Sequence, residues 1–354
     1  LFLSKIKKPY FRTMIFLRKI LFPISILYWL ITFLRNWCYD IGLFKSQSYQ
    51  IPIIAVGNLS VGGTGKTPHI EYLIRLLSNY KIATLSRGYK RTSKGFVLAD
   101  ATTNASILGD EPYQFYSKFP NVAVAVAADR RNGIAQLQEK VNPDVILLDD
   151  AFQHRKVKAG FYILLTTFND LFVDDYILPF GNLRESAFGK KRANLIIVTK
   201  CPPDLSELAQ ENIRKRFKTN LPVYFTTIVY DDFVYNATGK LEVTALVSPK
   251  VILAGIANPS LFFNHLKQKQ DVTLVFPDHH DFSEVDILKI KNSANNQLII
   301  TTEKDFMRLK GKIPNEQLYY LPIKTELLSR QDDFNATLLY YVGTSSRNRS
   351  VHSK

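Results

Sequence analysis

The feature that most constrains this chain is a glycine-rich stretch between a predicted strand and a predicted helix. It runs from Ser60 to Thr67 and reads Ser-Val-Gly-Gly-Thr-Gly-Lys-Thr. An apolar, β-branched run from Ile51 to Val56 precedes it, and apolar residues at helical spacing follow it between Pro68 and Tyr80. In this context, backbone N–H groups and the start of a helix surround an anion. We therefore predict a phosphate-binding loop, with a turn that binds nothing as the alternative.

The end of this loop and an acidic pair farther along the chain predict a nucleotide and metal site. Lys66 is expected to reach the β- and γ-phosphates of a nucleotide, and Thr67 to place its hydroxyl on Mg²⁺. Asp149 ends an apolar run from Val145 to Leu148, where phosphate-loop proteins carry the acidic residue that holds Mg²⁺. Asp150 doubles the negative charge there, which a cation would offset.

Predicted strands and helices alternate through the rest of the chain. This alternation favours an α/β fold with a parallel sheet that is covered by helices on both faces. Ligands of such sheets bind at the carboxyl ends of the strands, which is where the motif residues fall. The further strands that we predict for the first part of the chain are Lys81–Leu85, Val122–Val126, Tyr162–Leu165 and Leu195–Val198.

The alternation of predicted strands and helices is interrupted near residue 220. Two β-rich runs flank a turn at Asn236–Gly239, and strand-helix alternation then resumes as a smaller lobe. We therefore predict five segments: a basic extension with a surface helix (1–46), a phosphate-loop core (47–222), a two-stranded connector (223–246), a smaller α/β lobe (247–342) and a disordered tail (343–354).

Positive charge is concentrated at the N-terminal end. The chain has 354 residues and a formal net charge of +15, and its first fifty residues hold eight Lys or Arg residues against Asp40 alone. Within this region Ile20 to Leu34 is mostly apolar and includes Tyr28 and Trp29. A basic, aromatic helix of this kind is typical of segments that lie on an anionic membrane surface.

Other interpretations of the segment from Ile20 to Leu34 fit less well. No small-residue cleavage site follows it, as a signal peptide would require. It is short against the roughly 20 residues of a spanning helix, and the positive-inside rule would place the phosphate loop outside, away from ATP. A buried core helix remains an alternative. We expect a peripheral protein on the cytoplasmic face of a membrane.

Two smaller features also bear on the class of protein. Cys38 and Cys201 lie far apart without metal-ligand spacing, which favours reduced thiols in a cytosolic protein. The sequence opens with Leu, and Met14 is a candidate natural start.

Three further groups of polar residues are candidates for chemistry. Asp110 and Glu111 stand where a helix is predicted to begin, and as isolated residues they would be read as N-caps. His279 and His280 lie between aspartates in a predicted loop, a setting suited to proton transfer. Arg184 could stabilise a transferring phosphoryl group, or it could form a surface ion pair with an acid such as its neighbour Glu185.

Together these motifs resemble the tetraacyldisaccharide 4′-kinase family, the lipid A 4′-kinases. Ser60 stands where the strict phosphate-loop pattern has Gly, but this family also carries a hydroxyl residue there. The resemblance extends from about residue 14 to beyond residue 305. It rests on these segments in the family's order: Val56–Pro68, Ser86–Tyr89, Gly109–Pro112, Ala128–Arg131, Leu148–His154, Gly181–Glu185 and Thr302–Asp305.

The resemblance implies an ATP-dependent lipid kinase with Mg²⁺ as its metal. Its members transfer the γ-phosphate of ATP to the 4′-hydroxyl of a tetraacyldisaccharide 1-phosphate, a step in lipid A biosynthesis. The catalytic aspartate of the family falls on Asp110, and its partner histidine on His279, which follows Asp278 as in the family's Asp-His pattern. The phosphate-facing arginine falls on Arg184, and the metal positions fall on Thr67, Asp149 and, less firmly, Glu185.

The alternative is a membrane-bound nucleotide switch that acts through a protein partner. A GTP-dependent member of that class would carry Asn/Thr-Lys-x-Asp, and Pro202 stands where that Asp is needed. We therefore favour the kinase, with a lipid A precursor and an anionic membrane surface as its partners. We expect no nucleic-acid partner, and the resemblance implies no protein partner.

Overall fold

The structure is a computed structural model that describes residues 20–256, 259–278 and 280–352. The chain forms two compact units. Within the described residues, the first unit contains the chain up to Arg87, Asn121–Thr227 and the residues from Thr325 onward. The second unit contains Gly88–Pro120 and Ile228–Lys324.

The strands are numbered in chain order. They are β1 (Ile53–Asn58), β2 (Ile82–Ser86), β3 (Val97–Leu98), β4 (Ala123–Val126), β5 (Val145–Asp149), β6 (Phe161–Thr167), β7 (Leu195–Thr199), β8 (Val223–Tyr230), β9 (Phe233–Tyr235), β10 (Lys240–Glu242), β11 (Val251–Ala254), β12 (Val272–Val275), β13 (Ile299–Thr302), β14 (Leu318–Leu321) and β15 (Ile323–Leu327).

The described helices are numbered in the same way. They are α1 (Phe22–Asp40), α2 (Lys66–Leu76), α3 (Ala105–Leu108), α4 (Asp110–Lys118), α5 (Arg130–Lys140), α6 (Glu207–Phe217), α7 (Ser260–Leu266), α8 (Glu284–Ala294), α9 (Glu303–Leu309) and α10 (Gln331–His352).

A parallel sheet forms the core of the first unit. Its parallel strands lie in the order β8-β7-β6-β1-β5-β2-β4. β15 lies beside β8 at one edge. All six residues of β1 are buried, as expected of a central strand covered on both faces. Val56 pairs in register with Asp149 of β5. The sheet therefore brings the end of β1, which leads into the glycine-rich loop, beside the strand that ends in Asp149.

The helix that follows the loop begins as the sequence predicts. Gly65 has a φ of +83° directly before Lys66, the first residue of α2. Pro68 lies in the first turn, where the backbone N–H that proline lacks would have no partner within the helix. Ile70, Leu73 and Ile74 are buried at helical spacing against the sheet.

The second unit is built on a smaller mixed sheet. Its strands lie in the order β10-β9-β14-β13-β11-β12, with parallel pairs from β14 to β12 and antiparallel pairs at the β9 and β10 end. The two antiparallel strands are joined by the turn predicted at Asn236–Gly239, in which the N–H of Asn236 donates to the carbonyl of Gly239. This unit contains the strand-helix alternation on which the prediction of a smaller second lobe rests.

The structure divides the chain differently from the prediction in three places. Gly88–Pro120, expected in the core, belongs to the second unit. β8, expected in a separate connector, pairs in parallel with β7 and continues the large sheet. Residues 343–352 of the tail expected to be disordered are part of α10, which runs to His352.

Long-range packing explains these differences. In the second unit Lys118 and Glu111 of α4 form ion pairs with Glu303 and Lys304 of α9, and the N···O distances are 3.0 and 3.2 Å. In the first unit Phe334, Leu338 and Val342 of α10 are buried at helical spacing, and Tyr341 Oη donates to the carbonyl of Ile53 at 3.2 Å. Such contacts join residues far apart in the chain and leave no local sequence signal.

The N-terminal helix α1 has its polar and apolar faces in an unusual arrangement. Three polar side chains of α1 form hydrogen bonds to the rest of the first unit. Ser25 Oγ accepts from Phe180 N, Tyr28 Oη donates to the Arg184 carbonyl, and Asn36 Nδ2 donates to Glu185 Oε2. Ten apolar side chains of α1 stay at least 41% exposed: Phe22, Ile24, Ile26, Leu27, Trp29, Leu30, Ile31, Phe33, Leu34 and Trp37. Among the described residues, no helix is both long enough and apolar enough to cross a membrane.

Candidate active site

The glycine-rich loop lies at the carboxyl end of the parallel sheet, between β1 and α2. Gly62 and Gly65 have φ values of +109° and +83°, a region that side chains disfavour, so the path of the loop requires glycine at both positions. Gly65 is the N-cap of α2, which directs the positive end of the helix at the loop. The backbone therefore has the glycine conformations and the helix start on which the prediction of an anion site rests.

Asp149 and Thr67 occupy the positions expected of magnesium ligands. Asp149 is 3% exposed at the end of β5, and Thr67 is 7% exposed in the first turn of α2. Carboxylate and hydroxyl oxygens are the ligands that Mg²⁺ prefers, and it usually keeps several waters besides one or two protein ligands and substrate phosphates. The donor set therefore fits this metal, although the described residues contain no cluster of three His, Cys, Asp or Glu side chains suited to binding one.

Asp150 lies close to Lys66 and Arg184, the two cations that the sequence predicts to contact the phosphates. Its carboxylate accepts hydrogen bonds from Arg184 Nη1 at 3.0 and 3.1 Å, and Lys66 Nζ lies 3.5 Å away. Burial raises the pKa of Asp150, but the charges of Lys66 and Arg184 outweigh it and hold the pKa below its ordinary value. Lys66 and Arg184 therefore already converge on an anionic group beside the loop.

The segment that carries Arg184 is fastened to the glycine-rich loop by backbone pairing. Val61 N donates to the carbonyl of Asn182, and Arg184 N donates to the carbonyl of Leu59, both at 2.7 Å. Ser60 and Leu183 form an antiparallel bridge between these bonds. The position of the Arg184 backbone is thus set by the loop itself, although more than a hundred residues separate the two in sequence.

Glu185 does not have the surroundings of a metal ligand. Its carboxylate is 3% exposed and accepts hydrogen bonds from Arg192 at 2.8 and 2.9 Å, from Asn36 at 2.7 Å and from Gln153 at 3.1 Å. Both of its oxygens are used by these neighbours. These contacts favour a role in the fold, in which Glu185 joins α1 to the loop after β5, and binding of Mg²⁺ by Glu185 stays a prediction.

Three side chains hold the carbonyl oxygens of the loop, and the sequence reasoning missed this role for all of them. Lys200 Nζ donates to Gly63 O at 2.6 Å, Thr199 Oγ1 donates to Thr64 O at 2.9 Å, and His69 Nδ1 lies 2.7 Å from Gly65 O. Burial lowers the pKa of His69 to about 4, against the smaller effect of its bond to the Gly65 carbonyl.

The predicted catalytic base, Asp110, lies in the second unit. It begins α4, and Arg308 of α9 donates to its carboxylate. Arg308 also donates to the carbonyl of His280 at 3.1 Å. The expectation that Asp110 belongs to the phosphate-loop core is therefore wrong, and its connection to the histidine-bearing loop is made within one compact unit.

His280 is held by its own neighbours, whereas His279 lies outside the described residues. His280 Nε2 is 2.9 Å from Asp286 Oδ2, and the ring stacks on Phe276 with centroids 5.1 Å apart. Asp286 also completes a capping box with Ser283, and hydrogen bonds from Ser283 and then His280 lower its pKa to about 2. These contacts fix the His280 ring beside the start of α8.

A family model described as tetraacyldisaccharide-1-P 4′-kinase matches residues 17–342. The chain belongs to this family. It is 59% identical over 340 residues to the tetraacyldisaccharide 4′-kinase of Flavobacterium psychrophilum, which covers 94% of this chain and 99% of that protein. It is 44% identical over 369 residues to the enzyme of the same name from Bacteroides thetaiotaomicron, covering 96% and 97% of the two chains.

A solved member of the tetraacyldisaccharide 4′-kinase family has the same fold. The crystal structure of the "apo" form of LpxK from Aquifex aeolicus in complex with ATP matches with a TM-score of 0.78 and 32% sequence identity. The match covers 92% of this chain and 99% of that chain. The predicted phosphate-loop α/β kinase fold is confirmed by this match.

Proposed function

We propose that this protein transfers the γ-phosphate of ATP to the 4′-hydroxyl of a tetraacyldisaccharide 1-phosphate, the reaction that its family's name describes. The observation that carries the proposal is the convergence of Lys66 and Arg184 on Asp150, beside the glycine-rich loop. Two cations at a helix N-terminus suit a nucleotide triphosphate whose terminal group is being transferred. A bound phosphate would compete with Asp150 for both cations.

The metal in this proposal is Mg²⁺, held through Thr67 and Asp149. When bound, it supplies positive charge that offsets the negative charge of the phosphate oxygens. The loop and Lys66 bind and orient the β- and γ-phosphates, and Arg184 stabilises the charge that develops on the transferred group. Asp150 keeps both cations beside the loop.

Asp110 is the proposed acceptor of the proton that the sugar hydroxyl loses, with His279 as its partner. The hydroxyl must give up this proton as its oxygen attacks the phosphorus, and a positioned carboxylate is a suitable base. Arg308 holds both Asp110 and the backbone of the loop at His280. Because His280 is already bonded to Asp286, we keep His279 as the partner.

We also propose that α1 binds the cytoplasmic face of the inner membrane, where an acylated substrate would be met. The helix turns its hydrogen-bonding stripe toward the first unit and leaves its apolar face exposed, the reverse of an ordinary surface helix. An apolar face of this size would be costly to leave in water and suits the boundary of a lipid bilayer.

The test is phosphorylation of purified tetraacyldisaccharide 1-phosphate in detergent micelles with ATP and Mg²⁺. The wild type should produce the 4′-phosphate and ADP in equal amounts. Lys66→Ala should lower kcat/KM by about 10²- to 10³-fold, since it removes a cation from the transferring phosphate. Circular dichroism should show the fold retained.

ATP hydrolysis that does not depend on the lipid would contradict the kinase proposal and favour a nucleotide switch. Full activity in Lys66→Ala would remove the phosphate-loop assignment.

A further inference from the structure

Side chains of the first unit form hydrogen bonds to backbone carbonyls of the glycine-rich loop. Within the described residues, the carbonyls of Gly63, Thr64 and Gly65 each have a side-chain donor, from Lys200, Thr199 and His69 respectively. The His69 contact is special because it acts on the last peptide before α2. Gly65 O also receives the helical N–H of His69, but that distance is 3.4 Å against 2.7 Å for the ring nitrogen.

The orientation of that peptide decides where the Lys66 N–H points. A peptide bond is planar and trans, so its C=O and N–H groups point in opposite directions. A ring that fixes Gly65 O on one side therefore fixes the N–H of Lys66 on the other. In phosphate loops the N–H groups surround the phosphates, so this peptide is one whose orientation matters for nucleotide binding.

The protonation of the His69 ring follows from its two neighbours. A carbonyl oxygen can only accept a hydrogen bond, so Nδ1 must carry a proton. Nε2 lies 3.1 Å from Thr226 Oγ1 on β8, a hydroxyl that can donate to it over a shorter distance than to its other acceptor, the Val198 carbonyl at 3.5 Å. The residue is 6% exposed, so water has little access to the ring. A histidine that only filled space in the core would not need this directed bond.

We propose that His69 is a positioning residue for ATP, because its Nδ1–H fixes the Gly65 peptide and thereby directs the Lys66 N–H toward the phosphates. The inference rests on the proposed function in one respect, that the loop binds ATP. Thr226 has the supporting role of orienting the ring.

The test compares two amide substitutions, each of which places a nitrogen where one of the two ring nitrogens lies. The side-chain nitrogen of Asn can occupy the place of Nδ1, whereas Gln reaches the place of Nε2. His69→Asn should keep the bond to Gly65 and bind ATP within about threefold of the wild type. His69→Gln should raise both the Kd and the KM for ATP about tenfold, the effect of one lost hydrogen bond, with kcat and the KM for the lipid little changed. Thr226→Val serves as the matched control and should change the Kd for ATP by less than His69→Gln does.

Equal ATP affinities in His69→Asn and His69→Gln would overturn the proposal. A loss of ATP affinity in both variants that parallels their loss of thermal stability would overturn it as well. A second measurement does not depend on affinity. Nitrogen chemical shifts of ¹⁵N-histidine-labelled protein, assigned by difference against whichever variant folds, should show His69 protonated at Nδ1. A neutral ring protonated only at Nε2 would overturn the proposal.

Direct ATP binding separates this inference from the proposed function. A wild type that binds ATP but phosphorylates no lipid would contradict the proposed function, and the Asn and Gln comparison would still decide the role of His69. A wild type that does not bind ATP would overturn both.

Discussion

At the scale of single residues, charge pairing decides what each acidic group can do. Asp150 holds two cations that a phosphate could take over, whereas Glu185 is used on both oxygens by Arg192, Asn36 and Gln153. The two carboxylates lie near the same loop but differ in availability. A buried carboxylate with saturated hydrogen bonds contributes to the fold more than to metal binding.

Glu185→Gln should therefore reduce stability without removing metal dependence. The change leaves Arg192 partly buried without its counter-charge, and breaking a buried pair in this way costs roughly 3 kcal/mol of the free energy of unfolding. Urea denaturation measures that loss, and titration of Mg²⁺ in the kinase assay measures metal affinity. A variant of unchanged stability whose half-saturating Mg²⁺ concentration rises more than tenfold would show that Glu185 is a ligand after all.

At the scale of elements, α1 combines contacts to the candidate active site with an exposed apolar face. One face of the helix hydrogen-bonds to Arg184 and Glu185, and the other exposes leucine, isoleucine, phenylalanine and tryptophan side chains. The same helix thus contacts residues beside the phosphate loop and carries the apolar face that we propose binds the bilayer. In that proposal, docking of α1 brings the loop close to an acylated substrate in the membrane.

The double change Leu27→Gln and Ile31→Gln should weaken binding to vesicles that contain anionic lipid by at least about tenfold, because two exposed apolar side chains no longer enter the bilayer boundary. Both positions keep a good helix former. Vesicle sedimentation measures the partitioning, and ATP affinity should not change.

Leu208→Gln is the matched control, since Leu208 is 75% exposed on α6 of the same unit. If Leu208→Gln weakens vesicle binding as much as the double change, the effect is not specific to α1 and the assignment fails.

At the scale of the whole molecule, burial of neutral histidine makes stability depend on pH. Burial lowers the pKa of His154 to about 4, and the charge of Arg130 adds to the effect. His154 Nε2 accepts the N–H of Arg130 at 3.2 Å, a bond that the protonated ring could not accept. In the unfolded chain the pKa would be near 6.5.

The sign follows from proton binding in the two states. Between about pH 6.5 and pH 4 the unfolded chain binds a proton at His154 that the folded protein does not, so stability falls as the pH is lowered through this window. His154→Gln retains an acceptor for the Arg130 N–H and does not titrate, so its melting temperature should fall less between pH 7 and pH 5 than that of the wild type. Thermal denaturation at both pH values measures the difference. Parallel decreases in the two proteins would show that His154 does not contribute.

Local sequence signals determined much of this protein. The glycine-rich loop, its flanking strand and helix, the acidic end of β5 and the strand-helix alternation all follow from residues that are near one another in the chain. Backbone conformation at Gly65 and burial of alternating segments depend on short-range sterics and hydrophobicity, so the sequence alone was enough to predict them.

Tertiary structure decided the rest, because it depends on contacts between residues far apart in sequence. Asp110 belongs to the second unit since α4 forms ion pairs with α9, a pairing across almost two hundred positions. Glu185 is saturated because α1 and the loop after β5 meet it, and His69 is a positioning candidate only because it lies under Gly65. Each of these side chains has several possible partners in the sequence, and only the packing of distant elements selects one.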